Sequence, residues 1–257
     1  MEKTILAVSG LTLKFGGLTA INDVGFSIRK GEIAAIIGPN GAGKTTLFNI
    51  VTGIYTPNQG KVVFKDTVIA NRAPHEIAAM GISRTFQNIR LYGNMTVMEN
   101  VMVGMHVKTK SGISGSIFKT ARHRREEKYA RTEAEKLLEL TGLSEYRHDY
   151  ATSLPYGLQR RLEIARAMAS SPEIILLDEP AAGMNEAETE ALTQFILEIN
   201  RMGFTILLIE HDMRLVMKIC ERIHVLDYGV VISRGTPEQV KADPKVIEAY
   251  LGKEEEE

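Results

Sequence analysis

The run Gly38-Pro39-Asn40-Gly41-Ala42-Gly43-Lys44-Thr45-Thr46 constrains this chain more than any other stretch. Its glycines break any regular element, yet the residues on either side are regular. The apolar run 33–37 leads in as a strand, and a helical pattern opens at Lys44 and continues to about Thr52. Strand, glycine turn and helix start, in that order, turn consecutive backbone N–H groups inward at the positive end of a helix. That is a cradle for phosphate. The run fits G-x-x-x-x-G-K-[ST] without a gap, so residues Gly38 through Thr46 are candidate nucleotide contacts. Lys44 is expected to reach the β- and γ-phosphates, and the Thr45 hydroxyl to ligate Mg²⁺. A plain glycine turn before a helix is the competing reading, and the strand that precedes it weighs against it.

Two further strand ends carry polar groups that such a loop needs. Residues 173–180 read Glu-Ile-Ile-Leu-Leu-Asp-Glu-Pro, an apolar strand closing on two carboxylates. Asp178 is placed to hold the Mg²⁺ shell. Glu179, one residue on, points the other way and is a candidate to polarise water for in-line attack. Residues 207–212, Leu-Leu-Ile-Glu-His-Asp, end a later strand on His211, a candidate hydrogen-bond donor to a γ-phosphate. An acid pair is otherwise a helix N-cap and a lone histidine a structural one; the combination with the loop favours chemistry.

Around these motifs the β-rich runs 5–8, 25–28 and 61–64 are punctuated by turns such as Gly16-Gly17 and 56–60. From about Asn88 to Ser170 the pattern is largely helical, with Ala130, Ala134, Leu137, Leu138 and Thr141 on one face and Gly142 as a stop. Strand signals return at 174–177, 204–209, 223–226 and 230–233, and Leu192, Phe195, Ile196 and Ile199 mark a second apolar helix face. The alternation predicts an α/β chain with a largely parallel sheet and a helical insertion in its middle. At 257 residues and 44% hydrophobic it can bury a sizeable core.

Composition excludes several classes. With 31 basic and 32 acidic residues the net charge of −1 argues against a general nucleic-acid binder. The single cysteine, Cys220, rules out an internal disulfide framework. Apolar runs such as 204–209 fall far short of the roughly 18–20 residues that cross a bilayer, and no signal-peptide pattern opens the chain; the expectation is a soluble, cytosolic protein. The Glu254–Glu257 run reads as a solvated tail. Residues 108–131 carry Lys108, Lys110, Lys119, Arg122, Arg124, Arg125, Lys128 and Arg131 against Glu126 and Glu127. A solvated helix and loop, or attraction to an anionic membrane surface, are both open there.

Taken in order, the phosphate loop, Gln87 in "RTFQN", the stretch "LPYGL", "LLDEP", "AAGMN" and "IEHD" resemble the ATP-binding cassette ATPases, over essentially the whole chain. The resemblance implies a single nucleotide-binding domain over 1–257: an α/β phosphate-loop (RecA-like) parallel sheet core with an antiparallel β subdomain, formed by 1–87 and 171–257, and an inserted helical subdomain at 88–170. It further implies that Phe15 in "LKFGG" stacks on adenine, that Gln87 contacts Mg²⁺ or the attacking water and links to the membrane partner, and that Ala182-Gly183-Met184-Asn185 crosses to a second subunit. The longer strings "RTFQNIRLYGNMTVMENVMVG", "RRLEIARAMASSPEIILLDEPAAGMN", "LLIEHDMRLVM" and "GTPEQVKADPKVIEAYLG" are most similar to the ATPase subunits of branched-chain amino-acid importers. The basic insertion between Gly104 and Arg131 resembles the longer of the two ATPases in such importers.

Where the family pattern is Leu-Ser-Gly-Gly-Gln, residues 154–158 read Leu-Pro-Tyr-Gly-Leu. Pro155 removes a hydroxyl and a backbone N–H, and Leu158 removes an amide. Gly157 and a helix start at about Leu158 remain. The stretch Leu154, Tyr156, Gly157 is thus either a signature that meets a partner's nucleotide through backbone and helix dipole, or an ordinary loop before a helix. Asn185 replaces the family's usual aspartate, which weakens the crossing-loop reading.

The function expected is an ATP-hydrolysing subunit, with ATP and Mg²⁺, that energises a membrane importer for branched-chain amino acids. Its expected partners are a second ATPase subunit of the same or a related chain, two permeases and, indirectly, a substrate-binding protein, at the cytoplasmic face of the membrane. An exporter ATPase of the lipopolysaccharide-export type is the alternative. A soluble ATPase of translation or repair is disfavoured because the chain has neither a fused second cassette nor a long coiled-coil insertion. A GTPase is disfavoured because no Asn-Lys-x-Asp motif occurs, and a kinase because no acceptor site or lid is evident.

Overall fold

The computed structural model describes residues 3–105 and 121–251. Lys108, Lys110 and Lys119 of the basic segment, and the glutamate tail, lie outside the described residues.

Two sheets organise the chain. Strands β1 (Thr4–Phe15), β2 (Leu18–Arg29), β4 (Gln59–Phe64) and β5 (Thr67–Val68) form an antiparallel sheet in the order β2-β1-β4-β5. Strands β3 (Ile33–Ile37), β6 (Ile82–Arg84), β7 (Ile174–Asp178), β8 (Thr205–Ile209), β9 (Arg222–Asp227) and β10 (Val230–Gly235) form the second, in the order β10-β9-β3-β8-β7-β6. All its neighbours run parallel except β10, which returns antiparallel on β9. Strands β3, β7 and β8 are buried at every residue, which is why they read as unbroken apolar runs rather than alternating ones.

Helices α1 (Lys44–Val51), α2 (Pro74–Met80), α6 (Glu186–Arg201), α7 (Met213–Ile219), α8 (Pro237–Lys241) and α9 (Pro244–Leu251) belong with the sheets. Helices α3 (Val97–Gly104), α4 (Ala121–Leu140) and α5 (Tyr156–Ala169) gather around a separate apolar cluster that includes Val97, Val101, Ala134, Leu138 and Leu162. The two faces of the parallel sheet have their own clusters. One joins Ile36, Leu176 and Leu207 to the antiparallel sheet through Leu6 and Phe26; the other joins Ile37, Leu177 and Leu208 to Phe195 and Ile196 of α6.

The sequence pattern understates the first sheet. The expected short runs 5–8 and 25–28 are parts of two twelve-residue strands paired from Thr4↔Arg29 to Phe15↔Leu18. Register shifts along this hairpin break the simple alternation on which a sequence reading depends. Strand β6 is only three residues long and rests on β7, so no local period announces it.

Candidate functional site

The phosphate loop is shaped by close backbone packing. A Cβ on Gly38 would lie 1.9 Å from the Leu226 carbonyl oxygen, and one on Gly43, at φ +102°, would lie 2.8 Å from the Ala20 carbonyl oxygen. Only glycine fits either place. Lys44, 6% exposed, donates to the carbonyls of Gly38 at 2.7 Å and Pro39 at 2.9 Å, which draws its ammonium onto the loop. Thr45 is exposed at the first turn of α1, with Thr46 half-buried beside it. Asn40 and Gly41 are exposed, while Pro39 and Ala42 anchor the loop inside.

Parallel pairing sets the acids beside the histidine. Strands β7 and β8 end level, with Asp178 opposite Ile209, and the Glu179 N–H donates to the Ile209 carbonyl at 2.8 Å. Glu179 has φ +46°, a left-handed conformation costing a non-glycine residue about 1–2 kcal/mol. That turn presents its carboxylate to two side chains. His211 Nε2 lies 2.7 Å from Oε1, and Gln87 Nε2 donates to Oε2 at 2.6 Å. An ionised carboxylate only accepts, so the Nε2–H tautomer of His211 completes this pair. Gln87 and His211, expected in separate roles, therefore converge on the carboxylate of a third candidate, Glu179.

Four residues missed by the sequence reading hold this arrangement. Arg84, 6% exposed in its side chain, donates to Asp178 Oδ2 at 2.7 Å and to Asn49 of α1 at 2.7 Å. Its guanidinium lies against the rings of Phe48 and Phe86. Glu210, 3% exposed, accepts from the N–H groups of Ala181, His211 and Asp212; burial raises its pKa, and those three donors oppose the rise. Arg160 and Glu163, the largest part of α5's buried polar face, form an ion pair at 2.7 Å with side chains 0% and 1% exposed. Arg160 also donates to the carbonyls of Phe86 and Gln87, both at 2.8 Å, while Glu163 accepts from the N–H groups of Phe86 and Arg90. The loop carrying Gln87 is thus tied to α5. Charged residues at i and i+3 on a helix were the only available signal, and they normally mark a solvated face.

Helix α5 begins at Tyr156, two residues before the expected start, with Pro155 as its N-cap at φ −53° and no side chain capping it. Proline's fixed φ suits this position. Leu154 is buried; Tyr156 is exposed and donates its hydroxyl to the Ala182 carbonyl at 2.9 Å. Glu188 lies near Gly157: a Cβ there would sit 3.8 Å from Glu188 Oε1. The stretch 154–158 therefore lies beside residues 182–188 of its own chain. Asn185 accepts from Glu188 N–H at 3.0 Å, and Glu188 accepts from Asn185 N–H at 3.0 Å. An aspartate would cap equally well, so the change costs the loop nothing locally. Phe15 is 45% exposed and meets Tyr55 edge-on, centroids 5.3 Å apart.

Among the described residues no helix is long and apolar enough to cross a membrane, and no cluster of three His, Cys, Asp or Glu stands ready for a metal. The ABC transporter family model matches residues 21–182, and that of the branched-chain amino acid ATP-binding cassette transporter matches residues 230–256. The high-affinity branched-chain amino acid transport ATP-binding protein LivG of Escherichia coli (strain K12) is 48% identical, over 98% of this chain and 99% of that one. Among solved structures, the ADP conformation of MJ1267, an ATP-binding cassette of an ABC transporter, superposes with a TM-score of 0.85 at 34% identity, covering 97% of this chain and 99% of that one. The dimeric structure of MJ0796, a bacterial ABC transporter cassette, gives a TM-score of 0.75 at 26% identity, covering 91% and 99%.

Proposed function

The chain belongs to the ATP-binding cassette ATPases of ABC transporters, and from that premise we propose that it hydrolyses ATP to energise a membrane importer of branched-chain amino acids. Identity of 48% along the whole length of a branched-chain transport ATPase supports the substrate class. The single observation that carries the chemistry is the convergence of Gln87 and His211 on Glu179.

The loop 38–46 binds the phosphates through its N–H groups, and Lys44 exchanges the carbonyls of Gly38 and Pro39 for the β- and γ-phosphates. Phe15, exposed beside Tyr55, offers a face for adenine. The γ-phosphate competes with Glu179 for His211; once released, the Glu179 carboxylate takes a proton from water aligned by Gln87. Thr45, Asp178 and Gln87 offer oxygen donors, the chemistry of a hard cation that takes most of its ligands from phosphate and water. Arg84 occupies Oδ2 of Asp178, which orients the other oxygen. Held by those oxygen donors, Mg²⁺ would neutralise phosphate charge.

The stretch 154–158 is read as completing the site of a second subunit; in its own chain it packs beside residues 182–188, the loop expected to cross to that subunit. Its uncapped helix N-terminus offers N–H groups and dipole to that partner's γ-phosphate. Residues 88–170 act as the helical subdomain and the rest as the catalytic core. The Arg160–Glu163 clamp on the Gln87 loop then links nucleotide state to the subdomain's position. We place the working protein as a nucleotide-sandwich dimer, of like or related chains, docked peripherally on two permeases at the cytoplasmic face of the membrane, with a substrate-binding protein delivering the cargo.

The test is co-purification with two permease subunits, then leucine uptake into vesicles driven by internal ATP. Uptake lost in Glu179→Gln supports the reading. Hydrolysis that drives no uptake of leucine, isoleucine or valine sinks the substrate class.

A further inference from the structure

A cleft of about 430 Å³ opens where β2 passes β9 and β10, toward the start of β3, whereas the phosphate loop leaves β3 at its other end. Phe26, Arg29, Glu32, Arg222, His224 and Arg234 are among its walls. Nothing in the ATPase mechanism uses this cleft.

Its deepest group is unusual. His224 is 3% exposed, and neither Nδ1 nor Nε2 has a hydrogen-bond partner among the described residues. Its ring packs on Phe26, centroids 5.2 Å apart. Such a group needs explaining, because buried polar atoms in proteins are ordinarily paired. Both acids of the cleft, Glu32 and Glu221, have backbone partners of their own. Glu32 is already engaged, accepting the Arg29 N–H at 2.8 Å and pairing with Arg222 at 3.6 Å. Glu221 accepts the Ile33 N–H at 3.4 Å. Arg234, on the exposed edge strand β10, has no carboxylate within ion-pair distance among the described residues. Three guanidinium-bearing residues line the cleft, Arg29 from β2, Arg222 from β9 and Arg234 from β10, and in the antiparallel register Arg234 lies opposite His224.

We propose that this cleft is a second anion site, separate from the nucleotide, which takes a small oxyanion, phosphate or carboxylate, between Arg222 and Arg234 with His224 behind it. Guanidinium forks match either group bidentately. His224 adds an N–H to the anion directly or through one water. Burial first, then the positive fields of Arg222 and Arg234, push its pKa down to about 4. An anion opposes both arginine fields, so its arrival raises the proton affinity of the ring.

The experiment uses the full chain saturated with ADP, which occupies the phosphate loop, with ¹³C-labelled histidine and the His224 resonance assigned through His224→Gln. Sodium sulfate and sodium acetate are titrated at constant ionic strength. The proposal expects the His224 resonance to shift saturably with at least one of them; sulfate alone identifies a phosphate-type ligand, acetate alone a carboxylate. Arg234→Gln should weaken that response by at least tenfold, because the guanidinium's charge-assisted contact is lost, while its ADP affinity stays at the wild-type value. A His224 resonance that ignores both anions, or responds equally in Arg234→Gln, overturns the site.

Discussion

Glu163→Gln should be far more damaging than its position on a helix, away from the nucleotide, suggests. Glu163 is 1% exposed and pairs with Arg160, which is 0% exposed. The amide leaves the Arg160 guanidinium charged and buried without its counter-ion. Breaking such a pair from one side costs about 3–5 kcal/mol. Ion pairs on the surface, such as Lys136–Glu133 with side chains 63% and 35% exposed, contribute at most about 1 kcal/mol. For a chain of this size each kcal/mol moves Tm by about 2–4 °C, so the expected fall is about 6–20 °C. Calorimetry and urea unfolding measure the loss, and ATP turnover well below the new Tm separates stability from function. Arg160→Met/Glu163→Leu should recover much of the stability, because no charge stays buried. It should not recover turnover, because the carbonyls of Phe86 and Gln87 lose their donors and the Gln87 loop its tether. Glu163→Gln within 1 kcal/mol of wild type, or the double variant turning over normally, would refute the clamp.

Lys44→Ala removes the ammonium that meets the β- and γ-phosphates, and equilibrium ATP binding should fall at least tenfold, with hydrolysis lost. Glu179→Gln should retain ATP, hydrolyse it at least a hundredfold more slowly, and accumulate as a dimer in ATP on size-exclusion chromatography; a monomer under those conditions points to an obligatory related partner. Gly157→Asp should leave ATP binding to the monomer intact and abolish dimer-dependent turnover by setting a carboxylate against the partner's γ-phosphate, whereas Pro155→Ser should leave the ATP-driven dimer as strong or stronger; unchanged turnover in Gly157→Asp makes 154–158 an ordinary loop. His224 is held neutral, with its pKa near 4 against 6.5 when unfolded. The unfolded chain therefore takes up the proton first as pH falls. The stabilising share present above pH 6.5 drains away toward pH 4, by up to about 3 kcal/mol, and this part of the urea-midpoint slope should vanish in His224→Phe.

The residues that could be read without a structure are those whose chemistry is local. Gly38 to Thr46 form their cradle from consecutive backbone groups, and the strand 33–37 before it and helix after it are written in the same few residues. Asp178 and Glu179 are legible for the same reason: an apolar strand must stop somewhere, and this one stops on two acids. Tertiary structure alone decided which side chains meet. Gln87 and Glu179 are 92 residues apart, Arg84 and Asp178 94, and His211 and Glu179 32; only the parallel order β8-β7-β6 brings the three strand ends together. Arg160 and Glu163 carry no mark in the sequence that separates them from a solvated helix face. Their meaning depends on the Phe86–Gln87 carbonyls lying against that face, which no local period can encode because burial is a property of the neighbour and not of the residue.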